Sequence, residues 1–570
     1  KIYNIPEVRE RILMKKIKLN TLFKWAVALF IYNLVAKIII YFAQKTLPDF
    51  YRVDTSSLAS LTDSASKYLE SLFGIIAVYI VLWFMFAGIV LYFLRRSWGE
   101  KSEKRFTRQL LSYKLHTSIA AFIILMVPLV EFGLKVPFAQ YLALPKTFVD
   151  MVSGFWANTI FTACYLVLIL LLIKFRHISY FAIYQDYSLL NAIKISAREG
   201  MASAIQLFLK SIIRLVVASG IGFALLYFLQ LFADTFFDVN NRRLIANILL
   251  AITSGLMYVI TAYILNLYVT LLTTDHKKDA EKKLNGSSIF LQGLILIVIG
   301  AGSTLISGNY FISPREKYLV IAHKGVSYPN AVPNSLIALK RTIATHPDYI
   351  EIDIQPTKDG VYVLTHNTKV KTVSGETLDI SKTNWSTLKT KKVTEDGHQF
   401  YLTSFSKYID LANNKKQKLL VELKLNQTIT DEQLKQFVAK YGKQMKENKS
   451  EIQSMNQNVI KRIYQYTSLT TGLLSPVKNT VDGNKISKFY AIEYSKVDAH
   501  LSSQIRQYNK DLYSWTVNDK LDVETAYMIG VNGVITDKPR ETRTILENIS
   551  EKLTYRRAFI SMILNQQSDI

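Results

Sequence analysis

Cysteine is almost absent from the chain, since Cys164 is the only one in 570 residues. A single cysteine excludes an intrachain disulfide and a metal site built from several thiolates. Acidic residues are also few, because 44 Asp and Glu accompany 69 Lys and Arg and leave a net charge of +25. A balance this basic suits a polyanionic partner, such as nucleic acid or an anionic lipid surface.

The motifs of nucleic-acid-binding domains are missing as well. The sequence contains no zinc-finger spacing, RNA-binding aromatic signature or basic zipper. Much of the basic charge flanks apolar stretches, which is typical of the cytoplasmic ends of membrane spans. We therefore predict membrane lipids, and no nucleic acid, as partners, while the oligomeric state stays open.

The composition changes near residue 310. Half of all residues are hydrophobic, and before that point apolar stretches of near-bilayer length follow one another. After it the chain is rich in Lys, Asn, Thr and Asp, as in a water-soluble domain. We predict an all-α polytopic membrane domain at residues 1–311, an α/β TIM barrel at 312–550 and a C-terminal tail or helix at 551–570.

Seven apolar stretches are predicted to cross the membrane. The segments before the first, after the second and before the seventh are strongly basic, which predicts that they are cytoplasmic. With an odd number of crossings, the N-terminus is cytoplasmic and the barrel is extracellular. No cleavable signal peptide is recognisable, so we expect the first span of this chain to direct insertion, and the start at Lys1 suggests a trimmed N-terminus. The predicted spans are residues 21–43, 71–94, 112–134, 151–174, 207–232, 246–272 and 287–309.

Two basic residues, Lys210 and Arg214, fall within the fifth predicted span. An ionisable side chain in hydrocarbon is costly unless it is paired or reaches the headgroups. If the span begins early, Arg214 is deep enough to hold a lipid phosphate.

Three apolar runs in the second part end in histidines or carboxylates. Between residues 318 and 367 they read YLVIAHKG, EIDIQPTKDG and VYVLTHN. Short apolar runs bounded by Gly, Pro and Asn are typical of buried strands. Charged groups at the C-terminal ends of parallel strands form the reactive mouth of an α/β barrel. We predict that His323, Glu351, Asp353 and His366 meet there.

Five further β-like runs follow, namely KLLVELK, TGLLSPV, KFYAIEY, LYSWTVN and NGVITD. Together with the first three they make eight, with helical stretches between several of them, which predicts a TIM barrel. The segment 369–401 is too long for a simple turn between strand and helix. We expect it to cap the barrel mouth.

Glu351 and Asp353 are predicted to share a metal ion. They are two residues apart on one predicted strand, so both side chains point to the same face. Two inward carboxylates repel each other and lose hydration, whereas a hard cation with oxygen ligands resolves both problems. Glu422 from the VELK run supplies a third carboxylate. We predict calcium or magnesium, with manganese as a further option.

These motifs resemble the glycerophosphodiester phosphodiesterase family, whose usual pattern is His-Arg-Gly, Glu-Asn-Thr, Glu-x-Asp with Lys-Asp-Gly, and His-Asp. The similarity extends over about residues 316–545. The matching positions here read His323-Lys324-Gly325, Pro333-Asn334-Ser335, Glu351-Ile352-Asp353 with Lys358-Asp359-Gly360, and His366-Asn367.

Three positions depart from the family pattern: Lys324 replaces an Arg, Pro333 a Glu and Asn367 an Asp. Lysine at position 324 gives up a bidentate fork for a point charge. None of the three removes a histidine or a predicted metal ligand, so we expect an active enzyme with altered substrate contacts.

The resemblance implies roles for individual side chains. His323 and His366 would be the general acid and base, in an order that the sequence leaves open. We expect Asp537 to anchor the last loop, and Trp515 either to stack against substrate or to pack in the barrel. The residues implied to bind substrate or phosphate are Lys324, Lys424, Asn334 and Trp515.

The predicted function is hydrolysis of glycerophosphodiester bonds by a metal-dependent phosphodiesterase at the outer face of the cell membrane. The substrate is a deacylated phospholipid, a lysophospholipid or lipid headgroup, or a glycerol-phosphate polymer such as teichoic acid. A tethered or membrane-embedded substrate is favoured, because a soluble one leaves seven spans unexplained. The alternative is a non-catalytic envelope protein that binds glycerophosphate polymers or lipids and scaffolds envelope synthesis. A transporter with a hydrolytic appendage has no paired interrupted helices to support it.

Overall fold

The structure is a computed structural model, and the chain is described in two compact units. The first comprises Lys1–Thr235, Asn247–Ile306 and Met562–Ile570, and the second comprises Phe236–Ala246 and Ser307–Ser561. The predicted domain boundaries stay predictions. The residues described are 19–46, 65–98, 104–130, 155–198, 200–272, 286–308, 310–314, 318–328, 332–395, 398–425, 429–475, 481, 485–551 and 553–564.

The described part of the first unit is helical. Long apolar segments form helices because only a helix satisfies every backbone polar group within one segment in the absence of water. The helices are Leu19–Thr46, Ala65–Trp98, Lys104–Leu110, Tyr113–Val130, Phe155–Lys174, Leu189–Arg198, Ala202–Phe236, Val239–Leu272 and Gly286–Ser307, with a π-helical turn at Tyr180–Tyr184. The end of Ala202–Phe236 and the start of Val239–Leu272 belong to the second unit.

Five of these helices contain segments long and apolar enough to cross a membrane: Leu19–Ile40, Ile76–Trp98, Ala202–Phe236, Val239–Leu272 and Ser287–Ile306. The shorter apolar helix Thr159–Lys174 and the helix Tyr113–Val130 coincide with the other two predicted spans. Residues 131–154 lie outside the described part of the chain. The count of seven crossings therefore stays a prediction.

Close helix packing in this unit depends on small residues. A Cβ atom added at Gly300 would lie 1.9 Å from the carbonyl oxygen of Ala251, and one at Gly255 would lie 2.6 Å from that of Leu296. The helices Val239–Leu272 and Gly286–Ser307 are thus in direct backbone contact, as membrane helices are at small residues.

The second unit contains a closed barrel of eight parallel strands, which confirms the predicted TIM barrel. The strand order is β1-β2-β9-β10-β11-β12-β13-β14, and β14 pairs with β1 to close the ring. Its wall strands are β1 (Leu319–Ala322), β2 (Tyr349–Pro356), β9 (Leu419–Leu423), β10 (Glu451–Ser454), β11 (Thr471–Ser475), β12 (Phe489–Glu493), β13 (Asp511–Trp515) and β14 (Gly533–Thr536).

Helices follow most of the wall strands. They are Leu336–Thr342, Phe405–Asn414, Asp431–Glu447, Gln457–Tyr466, Ala499–Gln507, Lys520–Met528 and Pro539–Glu551, with a further helix at Arg556–Leu564 and a short one at Trp385–Leu388. Single turns of 3₁₀ helix lie at His323–Gly325, Ile343–Thr345, Ile380–Lys382 and Tyr494–Lys496.

One predicted wall strand was wrong. The run VYVL forms β3 (Tyr362–Leu364), which pairs antiparallel with β2 and with β8 (Thr403–Ser404) and is not part of the closed ring. The eighth wall strand is instead β10, whose sequence EIQS lacks the apolar pattern of a buried strand. Its polar side chains are buried, and that of Glu451 accepts hydrogen bonds from Tyr349 and Tyr513 inside the barrel.

The long segment after β3 forms a sheet of its own. Strands β4 (Lys369–Thr372), β5 (Thr377–Asp379), β6 (Lys392–Glu395) and β7 (His398–Tyr401) pair antiparallel in the order β5-β4-β6-β7. This sheet has a small core that includes Val370, Leu378 and Val393. Its predicted role as a cap of the barrel mouth stays a prediction.

Candidate active site

His323 directly follows β1 and begins a tight turn at the C-terminal end of the barrel. The backbone is left-handed at the next two positions, with φ of 47° at Lys324 and 70° at Gly325. A Cβ atom at Gly325 would lie 2.6 Å from the hydroxyl of Tyr408, so glycine is needed on two counts. The turn aims the backbone N–H of Lys324 at Glu351 Oε2, 2.8 Å away.

Asp537 holds the ring of His323. Oδ1 of this carboxylate lies 2.8 Å from His323 Nδ1, and Oδ2 accepts a hydrogen bond from the Asn518 amide at 2.7 Å. Burial alone would raise the pKa of Asp537, but the hydrogen bond and charge of His323, together with Asn518, lower it below its usual value. An ionised Asp537 accepts the Nδ1 proton, so Nε2 of His323 is the ring atom left for chemistry. The sequence reasoning had given Asp537 only a loop-anchoring role.

Three carboxylates meet beside this turn. One ligand oxygen from each of Glu351, Asp353 and Glu422 lies within 4.8 Å of the other two, and all three residues are buried. Asp353 and Glu422 are direct partners in the pairing of β2 with β9, so their side chains leave the sheet side by side. The predicted cluster is therefore present, and it can hold a divalent cation.

Burial and mutual repulsion oppose ionisation of two of the three carboxylates. Burial, followed by the charges of Asp353 and Glu422, raises the pKa of Glu351 well above its usual value. Burial and the charge of Asp353 raise the pKa of Glu422 to about 8. For Asp353 burial also acts upward, but Lys424 and His366 outweigh it and lower the pKa. Close carboxylates that resist ionisation together are a donor set suited to a hard cation.

Lys424 lies against the same carboxylates. Its Nζ atom is 3.4 Å from Asp353 Oδ1 and 3.5 Å from Glu422 Oε1. Burial would lower the pKa of this ammonium, but the neighbouring carboxylates raise it overall. The predicted phosphate-binding lysine is thus at the site, charged and next to the candidate metal ligands.

Asn334 is buried, and both ends of its amide bond to Asp353. Its Nδ2 donates to Asp353 Oδ2 at 3.0 Å, and its Oδ1 accepts from the Asp353 backbone N–H at 3.1 Å. These contacts orient a candidate metal ligand. The substrate-binding role predicted for Asn334 stays a prediction, as do the roles of the other site residues.

His366 lies in the segment between β3 and β8, which is not part of the barrel wall. It follows β3, its side chain is exposed, and Nδ1 lies 3.5 Å from the Asn367 side-chain oxygen. Partial burial of the ring lowers the pKa of His366, although the charge of Asp353 opposes the shift. The imidazole is therefore neutral near pH 7 and can accept a proton.

Two further side chains lie near the mouth. Trp515 ends β13 half-buried and packs against a cluster of buried barrel residues that includes Tyr513 and Ile535. Gln453 pairs with Glu422 in the β9–β10 register, and its buried Oε1 has no hydrogen-bond partner among the described residues. Gln453 was missed in the sequence because β10 itself was missed.

Comparison with known proteins identifies the barrel. Residues 323–541 match the Glycerophosphoryl diester phosphodiesterase family. The glycerophosphodiester phosphodiesterase GDPD4 of Arabidopsis thaliana is 21% identical over 252 residues, which covers 40% of this chain and 74% of that protein. A glycerophosphodiester phosphodiesterase of Caldanaerobacter subterraneus is 26% identical over 236 residues, 39% of this chain and 95% of that protein.

A solved structure gives a similar alignment. A glycerophosphodiester phosphodiesterase of Parabacteroides distasonis aligns over 42% of this chain and all of its own length, with 20% identity and a TM-score of 0.36. These matches fall on the part of the chain that carries the two histidines and the three carboxylates. Residues 323–541 are a glycerophosphoryl diester phosphodiesterase family domain, joined in this chain to an N-terminal helical region with five apolar candidate membrane spans.

Proposed function

We propose that this protein is a metal-dependent phosphodiesterase that hydrolyses glycerophosphodiesters at the outer face of a membrane. The observation that carries the proposal is the cluster of Glu351, Asp353 and Glu422, set beside two histidines at one end of a family barrel. A phosphodiester brings negative charge and a poor leaving group, and this site supplies groups for both.

The donor set fits a divalent cation. A positive charge would let the three buried carboxylates ionise together, which burial and their mutual charge oppose. Their ligand atoms are all oxygens, which calcium and magnesium prefer. Glu351, Asp353 and Glu422 would hold the ion. When bound, it supplies charge neutralisation and polarises a phosphoryl oxygen.

The remaining residues divide the proton transfers between them. Neutral His366 accepts the proton of the attacking hydroxyl, from water or from a neighbouring glycerol unit. His323 enters this step as the imidazolium, with its Nδ1–H held by Asp537, and donates its Nε2 proton to the departing alkoxide as the phosphorus–oxygen bond breaks. Lys424 lies beside the carboxylates that would hold the cation. Its ammonium group would therefore be near a phosphate bound to that cation and would donate a hydrogen bond to one of its oxygens.

Placement outside the cell rests on one helix. Gly286–Ser307 separates the barrel from segment 273–285, which contains Lys277, Lys278, Lys282 and Lys283. A basic segment stays cytoplasmic, so a single crossing brings residue 307 and the barrel outside, whatever the number of earlier spans. Residues 236–246 belong to the same compact unit as the barrel. They lie two crossings before residue 307, so they too are outside the cell.

The substrate class follows from this placement. An extracellular enzyme joined to several membrane helices is close to lipid headgroups and to polymers tethered at the membrane surface. We favour a glycerol-phosphate polymer or a lysophospholipid over a freely diffusing glycerophosphodiester, because one helix would suffice to anchor an enzyme for the latter.

Turnover by the purified full-length protein tests the proposal. Glycerophosphocholine, lysophosphatidylcholine and glycerol-phosphate polymer would each be offered with calcium or magnesium and then with a chelator. We expect hydrolysis of at least one substrate and its loss on chelation. His323→Ala and His366→Ala should each lower turnover by about two to four powers of ten, because general acid or base help is that large. Their calcium binding should be retained, since neither histidine is among the proposed ligands.

The non-catalytic alternative predicts a different result. The wild-type protein would turn over none of the three substrates faster than either histidine variant does, yet it would bind the glycerol-phosphate polymer. The long contact between His366 and Asn367 motivates this alternative. In that case Asn367→Asp and Pro333→Glu are the reversions to examine.

A further inference from the structure

A groove opens on the surface of the helical unit, between the helices Ala202–Phe236 and Val239–Leu272. It has a volume of about 510 Å³, and most of its lining is apolar, including Leu215, Phe223, Leu256 and Ile260. Volumes of this size accommodate small organic ligands. Since both walls are candidate membrane spans, the surrounding medium is lipid.

Arg214 is the one charged residue in the lining of this groove. It stands at the edge of an uncharged stretch, because residues 215–233 contain no ionisable carboxylate or basic side chain. Nineteen helical residues span about 28 Å, which is close to the hydrocarbon thickness of a bilayer. This places Arg214 at the depth of the lipid phosphates. The groove lining extends from it in both directions along the helix, to Phe223 within the uncharged stretch and to Leu207 on the other side.

The groove stays open along the first helix because small residues line it. Ser211, Ala218 and Gly222 recur at helical spacing on the lining face. A Cβ atom built at Gly222 would meet no atom within 4 Å, so the space beside it is free. At the level of Ser211 the other wall is fixed, because the Tyr263 hydroxyl donates to the Ser211 carbonyl at 3.2 Å.

We propose that this groove binds one anionic glycerophospholipid, with its phosphate on the Arg214 guanidinium and an acyl chain along the apolar walls beside Gly222. A guanidinium forms a planar fork that matches phosphate oxygens, and its cost at the membrane boundary falls when an anion pairs with it. With the barrel outside, Arg214 lies in the cytoplasmic leaflet, where anionic lipids are concentrated. The lipid site is independent of hydrolysis by the barrel.

Native mass spectrometry of the full-length protein in non-ionic detergent tests the site. The protein would be offered equimolar phosphatidylglycerol and phosphatidylcholine with identical acyl chains. We expect one retained phosphatidylglycerol per chain, preferred by about tenfold, the lower end of what hydrogen bonds to charged groups contribute. Arg214→Gln should abolish the preference, and Arg214→Lys should keep part of it. Lys210→Gln, an exposed residue on the same helix and outside the lining, is the matched control and should change nothing.

A second pair of variants tests the acyl groove without altering charge. Gly222→Leu should fill the groove and lower retention of both lipids. Gly220→Leu has equally free surroundings but lies outside the lining, so it should retain lipid as the wild type does. This pair keeps the test valid if Arg214→Gln does not fold.

Three results would each overturn the proposal. The first is equal retention of the two lipids by the wild type, which indicates bulk lipid alone. The second is an unchanged preference in folded Arg214→Gln or unchanged retention in folded Gly222→Leu. The third is release of phosphatidylglycerol by millimolar inorganic phosphate, which indicates an anion site without a lipid site.

Discussion

The Nδ1 atom of His323 lies 2.8 Å from Oδ1 of Asp537, a residue more than two hundred positions later in the chain. The two residues follow β1 and β14, the strands whose pairing closes the barrel. Closure of the ring and orientation of the proposed proton donor therefore depend on the same pair of strands.

Asp537→Asn tests this relationship. We expect kcat to fall by about 10²-fold or more with little change in KM, because the amide can stabilise the wrong tautomer of His323. The pH dependence of kcat should also change, which a purely structural loss would not produce. Asp519→Asn, which changes an exposed carboxylate in the loop between β13 and the helix Lys520–Met528, is the control and should have no effect. An unchanged pH profile in folded Asp537→Asn would contradict the assigned role.

The acidic cluster predicts opposite effects with and without metal. Asp353→Asn and Glu422→Gln should abolish calcium binding in titration calorimetry. In chelator Glu422→Gln should unfold at a higher temperature than the wild type, because burial and the charge of Asp353 disfavour the ionised Glu422. In saturating calcium both variants should unfold at a lower temperature than the wild type. Glu493→Gln, at the end of β12 and outside the cluster, should bind calcium normally. Identical melting of variants and wild type under both conditions would contradict the metal site.

Asn334 is expected to act through Asp353. Its backbone is left-handed, with φ of 58°, so Asn334→Gly removes the amide without backbone strain. We expect calcium affinity to fall by about 10- to 100-fold, as for other residues that orient metal ligands. Asn458→Gly, on an exposed helix surface, controls for the added flexibility. Unaltered calcium affinity together with a raised KM would instead support the predicted substrate contact.

Glu451 gives the barrel a pH-dependent stability that does not involve the metal site. Burial raises the pKa of Glu451 from 4.5 to about 7, although hydrogen bonds from Tyr349 and Tyr513 oppose the rise. The folded state then holds a proton that the unfolded chain releases, so stability should fall as pH rises from about 4.5 to about 7. Glu451→Gln should therefore be the more stable protein at pH values above that window, by at most roughly 3 kcal/mol. Thermal unfolding across pH measures this, with exposed Glu447→Gln as control, and parallel curves for Glu451→Gln and wild type would rule it out.

Membrane orientation can be read with engineered thiols, because Cys164 is the only native cysteine. In a Cys164→Ser background, Glu432→Cys lies on an exposed barrel helix and Lys282→Cys lies in the basic segment before the last span. We expect an impermeant maleimide to label the first variant in intact cells and the second only after permeabilisation. The reverse pattern would invert the proposed topology.

The sequence predicted the barrel and its acidic cluster because those features are local. Strand-end motifs such as EID and VELK place carboxylates by alternation alone, and the structure brings Glu351, Asp353 and Glu422 together. Strand β10 escaped prediction because it is polar, and its buried Glu451 accepts hydrogen bonds inside the barrel from tyrosines on β2 and β13. Contacts of this kind join distant segments, and neither hydrophobic periodicity nor turn residues reveal them.

His323 and His366 are attached to different parts of the fold, because His366 lies in the segment β3–β8 outside the barrel wall. His323 is fixed to the closed wall, whereas His366 is carried by a segment that also contains the whole second sheet. Residues 362–404 thus form a continuous cassette that holds one reacting group and is attached to the barrel through antiparallel pairing to β2. Exchanging this cassette between family members would alter the proton acceptor and the surface beside it, while the acidic cluster, Lys424 and the His323–Asp537 pair kept their positions.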